Sequence, residues 1–163
     1  NGPAFAVPPP FAVVAPSRVP RIGQPALPSK TLVRADVADL AAIDSARPSD
    51  DMHELTIADA VRSGKPTLIL FATPGFCETA TCGPDLQVVQ ALKRKYGDRA
   101  NFIHIETPSN DSAPQAQKPT TEQWGLTTEP WVFLLDRQGV GADRFAGGIT
   151  LVEIEPALVR LLD

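Results

Sequence analysis

At 163 residues and 43% apolar composition, the chain can bury one ordinary core and is too short for two comfortable domains. A formal charge of -4 gives no electrostatic footprint for nucleic acid or an anionic membrane. No apolar run approaches the roughly 20 residues of a membrane span, so no transmembrane segment is expected.

The first thirty residues hold eight of the 17 prolines, Pro8, Pro9 and Pro10 in succession, and their apolar residues lack a period of 2 or 3.6. Residues 1–30 therefore read as an extended arm or tether ahead of a domain over 31–163. Such an arm points to an exported or cell-envelope protein whose signal or anchor segment is absent from this chain; a strap packed on the domain is the alternative. Without a core pattern, the arm is expected to be removable at little cost in stability.

Residues 36–43 favour one or two helical turns and residues 48–51 a turn, with no function assigned to either. A short strand is expected over 52–55, then Thr56 as the N-cap of a helix that presents Ile57, Ala60 and Val61 and ends at Gly64. The apolar run 66–72 suits a strand buried on both faces. Leu86, Val89 and Leu92 mark a helix that closes at Gly97, with Lys93, Arg94 and Lys95 suited to its C-terminal dipole. A strand over 101–106, a loop over 107–119, a short helix over 120–124, a strand over 131–135, a turn over 136–139, its partner strand over 142–145 and a helix over 154–162 complete the order β-α-β-α-β-α-β-β-α. That order predicts an α/β fold, a central mixed sheet with helices on both faces.

The chain has 2 cysteines, Cys77 and Cys82, directly after the expected central strand. Two cysteines are too few for a disulfide scaffold, and with His53 and His104 they lack the paired spacings of structural zinc. No metal site is assigned. A thiol at a strand-to-helix junction faces unpaired backbone N–H groups and the positive helix end, which stabilise thiolate, while the carboxylate of Glu78 opposes this. An inert local disulfide is the alternative reading of the pair.

The element order, an aromatic residue before a cysteine in Phe76-Cys77, the run Glu129-Pro130-Trp131 entering a strand, and Gly139, Gly147 and Gly148 near the closing hairpin resemble the thioredoxin superfamily over about residues 52–163. The resemblance implies a thioredoxin-like fold, Cys77 as nucleophilic thiol and Pro130 as a cis-proline. It implies thiol-disulfide exchange in which Cys77 attacks, Cys82 resolves, and Glu129 and Pro130 receive an extended client, with Phe76, Thr73 and Trp131 alongside. Protein thiols or disulfides would be the substrates, with an unidentified electron donor or acceptor as partner and no cofactor. The spacing departs from the family pattern: Cys77 and Cys82 enclose four residues, Phe71 stands where thioredoxins bury an acid, and Asp85 follows Cys82-Gly83-Pro84.

Thr73-Pro74-Gly75 and the cysteine spacing also resemble peroxiredoxins of the Q type, which implies peroxide as substrate, an antioxidant role and Thr73 as a peroxide-holding group. A third resemblance, to copper-delivery proteins of the same fold, implies Cu(I) on the two thiolates; His104 falls too early for their histidine and reads as a strand residue. Trp124 and Trp131 flank Pro130 and either line a groove or fill the core.

Residues five apart in one regular helix have Cα atoms about 8–9 Å apart, beyond the roughly 7 Å that a disulfide spans. Proline favours the first helical position, so a helix from Pro84 with residues 77–83 outside it is expected in the oxidised form.

Overall fold

The apolar run after Pro66 becomes the central strand because it can be covered on both faces, and the other elements arrange themselves around it. The computed structural model describes residues 19–77, 79–108 and 111–163. In chain order these form helix α1 (Ile57–Ala60), strand β1 (Thr67–Phe71), α2 (Cys82–Tyr96), β2 (Asn101–Ile105), α3 (Lys118–Gln123), β3 (Trp131–Leu135), β4 (Gly141–Ala146) and α4 (Leu151–Leu162). The sheet has four strands in the order β2-β1-β3-β4; β1 and β2 are parallel, and the other pairs are antiparallel. The fold is thioredoxin-like, a mixed sheet between helical layers.

Strand alternation divides the core in two. Leu68, Leu70, Val132 and Leu134 face α2 and α4, meeting Leu86, Val89, Leu92, Ile154 and Leu158. Ile69, Phe71, Ile103, Ile105, Phe133 and Leu135 face the other way and meet Ile57, Ala60 and Trp124. Every residue of β1 is buried, as a central strand requires.

Four expectations are corrected. Residues 52–55 are not a strand: Asp50 Oδ1 accepts from Met52 N at 2.7 Å, so a side chain takes a donor that a ladder would use. Only isolated backbone bonds remain there, His104 N to Met52 O at 3.0 Å and Arg34 N to His53 O at 2.7 Å. Helix α4 begins at Leu151, three residues earlier than its apolar pattern suggests, because Thr150 and Glu153 form a capping box. Helix α2 begins at Cys82, two residues before Pro84; the missing N–H of Pro84 falls in the first turn, where no helical acceptor exists. The one or two helical turns expected over 36–43 are present as 3-10 turns, Arg34–Asp36 and Leu40–Ala42.

The fourth correction concerns the arm. Residues 1–18 lie outside the described residues, but 19–30 are a packed strap along β4. Gly23 N donates to Gly141 O at 2.8 Å, Gly141 N to Gln24 O at 2.9 Å and Ala26 N to Gly139 O at 2.9 Å, covering the start of the edge strand β4. Val19 and Ala26 are buried against the Trp124 core, and Trp124 Nε1 donates to Ser29 Oγ at 2.9 Å. The alternative of a strap therefore describes residues 19–30, and their removal would uncover core.

Candidate active site

Strand β1 delivers the chain to a loop that is tied down at two points before it reaches the cysteines. Thr73 Oγ1 donates to Thr107 O at 2.6 Å and accepts from Thr107 N at 2.9 Å, stitching the end of β1 to the end of β2. Gly75 N donates to Ser45 Oγ at 2.9 Å; a Cβ at Gly75 would lie 2.7 Å from Ser45 O, so only glycine permits this approach. Phe76 then turns outward, 39% exposed, directly before Cys77.

Cys77 and Cys82 are joined in a disulfide with Cα atoms 6.1 Å apart. Cys82 is the first residue of α2 and fully buried, whereas Cys77 lies in the preceding loop and is partly exposed. The bridge closes because only one of its ends is helical. The described residues among 77–81 are non-helical, as the spacing requires, and the helix claims 82 and 83. Cys77 Sγ lies 3.3 Å from Thr79 Oγ1, which lies 2.8 Å from Thr81 Oγ1.

The turn before β3 comes to the same place. The Glu129–Pro130 peptide is cis, Pro130 is buried, and Pro130 O accepts from Gly147 N at 2.9 Å. A carboxylate oxygen of Glu129 and the two cysteine sulfurs lie within 4.8 Å of one another. Trp131 stacks on Phe133, with ring centroids 5.9 Å apart, and its Nε1 donates to Thr128 Oγ1 at 3.2 Å, leaving the ring half-buried.

Cys77, Cys82, Glu129 and Pro130 thus meet at one end of the sheet, with Phe76 exposed beside them. Thr73 Oγ1 is engaged with the Thr107 backbone as both donor and acceptor. Trp124 is buried against Phe71 and Phe133, with centroids 5.0 and 4.9 Å away, so it fills the core. The same packing shows why Phe71 cannot be an acid: its position is the centre of an aromatic cluster.

Two features were not singled out by sequence reasoning. The first is Asp85, buried in the first turn of α2. Its Oδ1 accepts from Ile149 N at 2.9 Å and its Oδ2 has no hydrogen-bond partner. Burial pushes the Asp85 carboxyl up to about 6, against the pull of the Ile149 N–H.

The second is a buried polar quartet under residues 72–75, made of Asp44, Asp50, His53 and His104. His104 Nε2–H donates to Ala72 O at 3.0 Å, and Nδ1 faces Asp50 Oδ2 at 2.6 Å. His53 Nε2 lies 3.3 Å from Asp50 Oδ1 and 3.6 Å from Asp44 Oδ2. Burial alone would lower both imidazoles, but the carboxylates facing them raise His104 and bring His53 to about 9, and the histidines in turn hold Asp44 and Asp50 low against their own burial. Next to the quartet, Glu106 accepts from Ser45 N at 2.7 Å and from Ser45 Oγ at 2.9 Å, and burial raises its carboxyl. His104 therefore belongs to this quartet; among the described residues, the potential ligand groups form two separate clusters, one with the cysteines and one with the histidines. His104 is a residue of β2 and lies with the quartet, not with the cysteines, in keeping with its early position in the sequence. No signal in the sequence marks the quartet beyond its containing both histidines of the chain.

No protein-family description and no curated protein matches this sequence. Solved structures do match its fold. A protein of Chlorobium tepidum assigned as a candidate thiol:disulfide interchange protein DsbE superposes with a TM-score of 0.53 at 16% identity, covering 67% of this chain and 86% of that one. MTB DsbF, determined in mixed oxidized and reduced forms, superposes at 0.51 with 17% identity, covering 75% of this chain and 96% of that one. At such identities the likeness is one of fold, and the chain is thioredoxin-like in that sense.

Proposed function

We propose that the chain is a thiol-disulfide oxidoreductase whose redox centre is Cys77–Cys82. The observation that carries this reading is the asymmetry of the pair: one sulfur partly exposed in a loop beside cis-Pro130, the other fully buried at the start of α2. In the reduced protein, Cys77 thiolate attacks a client disulfide, forms a mixed disulfide and expels one client thiolate. Cys82, with its proton removed, then attacks Cys77 Sγ, re-forms the intramolecular bridge and releases the second client thiolate. A separate dithiol partner returns two electrons to the bridge, and the reverse sequence oxidises a client dithiol. The N–H groups at the start of α2 favour the thiolate at each stage.

The client is received as an extended segment beside Glu129 and Pro130, with Phe76 and the half-buried Trp131 as apolar contacts. The peroxide reading rests on the cysteine spacing, and the Thr73 hydroxyl it would use is already hydrogen-bonded to Thr107. Residence outside the cytoplasm is part of the proposal; it rests on the Pro-rich segment. The names of the two similar structures are consistent with exchange chemistry. Cys77→Ser should reduce dithiol-disulfide exchange to background, while Cys82→Ser should accumulate a client mixed disulfide visible on a non-reducing gel. Exchange at parental rates in both variants would refute the assignment.

A further inference from the structure

We propose that Asp44, Asp50, His53 and His104 form a four-ligand site for a divalent transition-metal cation, Zn2+ by its donor set, separate from the cysteine pair. The four residues come from the segment before α1 and from β2, and all are buried, with His53 3% and His104 0% exposed. One potential ligand atom from each lies within 4.8 Å of the other three.

His53 is the observation that requires explanation. Neither of its ring nitrogens makes a hydrogen bond, although the residue is buried and Nε2 is aimed between two carboxylates. Its distances of 3.6 Å to Asp44 Oδ2 and 3.3 Å to Asp50 Oδ1 are loose for a hydrogen bond. They match the edges of a tetrahedron: bonds of about 2.0–2.2 Å to a central Zn2+ set neighbouring ligand atoms about 3.3–3.6 Å apart.

His104 is oriented in the way a ligating histidine usually is. Nε2–H is held by the backbone carbonyl of Ala72, which fixes the ring and turns Nδ1 toward the carboxylates. The two carboxylates are anchored as well: Asp44 Oδ1 accepts from Ala46 N at 2.8 Å, Asp44 Oδ2 from Asp50 N at 2.9 Å, and Asp50 Oδ1 from Met52 N at 2.7 Å. The Nδ1 to Asp50 Oδ2 contact of 2.6 Å must open by about 0.7 Å to admit the ion between them.

Two imidazoles with two carboxylates suit Zn2+ better than Ca2+ or Mg2+, which take six or more oxygens or retain several waters. A dication also balances the two buried carboxylates. Asp50 borders an open groove of about 370 Å³ between residues 49–51 and α2, which gives the ion a route to the site.

The experiment uses the untagged, oxidised chain, whose bridged cysteines cannot ligate. After dialysis against a chelator it should take up one equivalent of Zn2+, with a melting temperature that rises with added Zn2+. Co2+ in place of Zn2+ should give the visible absorption of a four-coordinate ion. His53→Gln and Asp44→Asn should each lower the affinity at least tenfold and abolish the Co2+ band; each variant is first shown to be folded by its circular dichroism. Two variants are used so that one misfolded protein does not remove the test. Absence of saturable uptake at micromolar Zn2+, or uptake unchanged in a folded variant, overturns the proposal.

Discussion

Cys77 and Cys82 lie at the open end of the sheet, and Asp44, Asp50, His53 and His104 lie a few residues away beneath the same loop, yet the two groups differ in access. Cys77 is partly exposed, whereas the quartet is buried and each carboxylate is anchored by backbone N–H groups. The comparison teaches that polar chemistry next to a redox centre need not belong to it. The quartet fixes the segment 44–53, Ser45 in that segment holds Gly75, and Gly75 sets the path of the loop that carries Cys77. Stability should therefore reside mainly in the quartet, and reactivity in the cysteines.

The largest effect should come from breaking the quartet. Removing one member of a buried hydrogen-bonded charge pair leaves the other uncompensated, typically at about 3–5 kcal/mol. His104→Ala, which removes the 2.6 Å partner of Asp50 and leaves only His53 facing it, should thus lower unfolding free energy in denaturant by an amount toward the lower end of that range. Opening the disulfide encloses so few residues that its entropic contribution is only about 2 kcal/mol. A loss under about 1 kcal/mol in His104→Ala would show that water reaches Asp50 and would end the distinction between the two groups.

The parts of this architecture that sequence conveyed are the local ones. Cys77, Cys82 and Pro130 stand at fixed offsets from strands that their own apolar runs announce, so their meeting follows from the order of elements. The quartet has no such offsets. Asp44 and Asp50 sit in a stretch whose composition signals only turns, and His104 reaches them from a strand that ordinarily would carry an apolar side chain there. The strap over 19–30 was hidden for a related reason: Val19 and Ala26 are single apolar residues among prolines, and their burial depends on an edge strand over a hundred residues further on. The strand expected at 52–55 failed because Asp50 turns the chain, a side-chain interaction that β propensity does not describe.

Asp85 sharpens the comparison, since it is a buried carboxyl without a cationic partner. Its folded value of about 6 lies above its ordinary value of 3.8, so the native state holds this proton more tightly than the unfolded chain does. The contribution to stability is fully present below about pH 4, declines between about pH 4 and 6, and is absent above that, an effect of at most about 3 kcal/mol. Asp85→Asn keeps an acceptor for Ile149 N–H and cannot ionise. Its unfolding free energy should change less between pH 4 and 6.5 than that of the parent; an unchanged pH slope would place the titration elsewhere.

The smallest expected effect tests the cysteine side of the comparison, at Glu129. A carboxylate oxygen within 4.8 Å of both sulfurs disfavours a thiolate on either one, and so disfavours the reduced state relative to the disulfide. Two unit charges about 5 Å apart interact by about 1 kcal/mol in water-like surroundings and by about 3 kcal/mol at an effective dielectric of 20. Only the thiolate fraction of the reduced protein feels this repulsion, which brings the expected change toward the lower figure. Glu129→Gln preserves the shape of the side chain and removes its charge. The thiolate should therefore form at lower pH, and the reduction potential should rise by about 10–30 mV, measured by equilibration with glutathione. The same substitution should leave stability in denaturant nearly unaltered in the oxidised form, where no thiolate exists to be repelled. A potential that falls or stays constant would mean that Glu129 does not act on the sulfurs as a charge, and the redox centre would then owe its poise to the start of α2 alone.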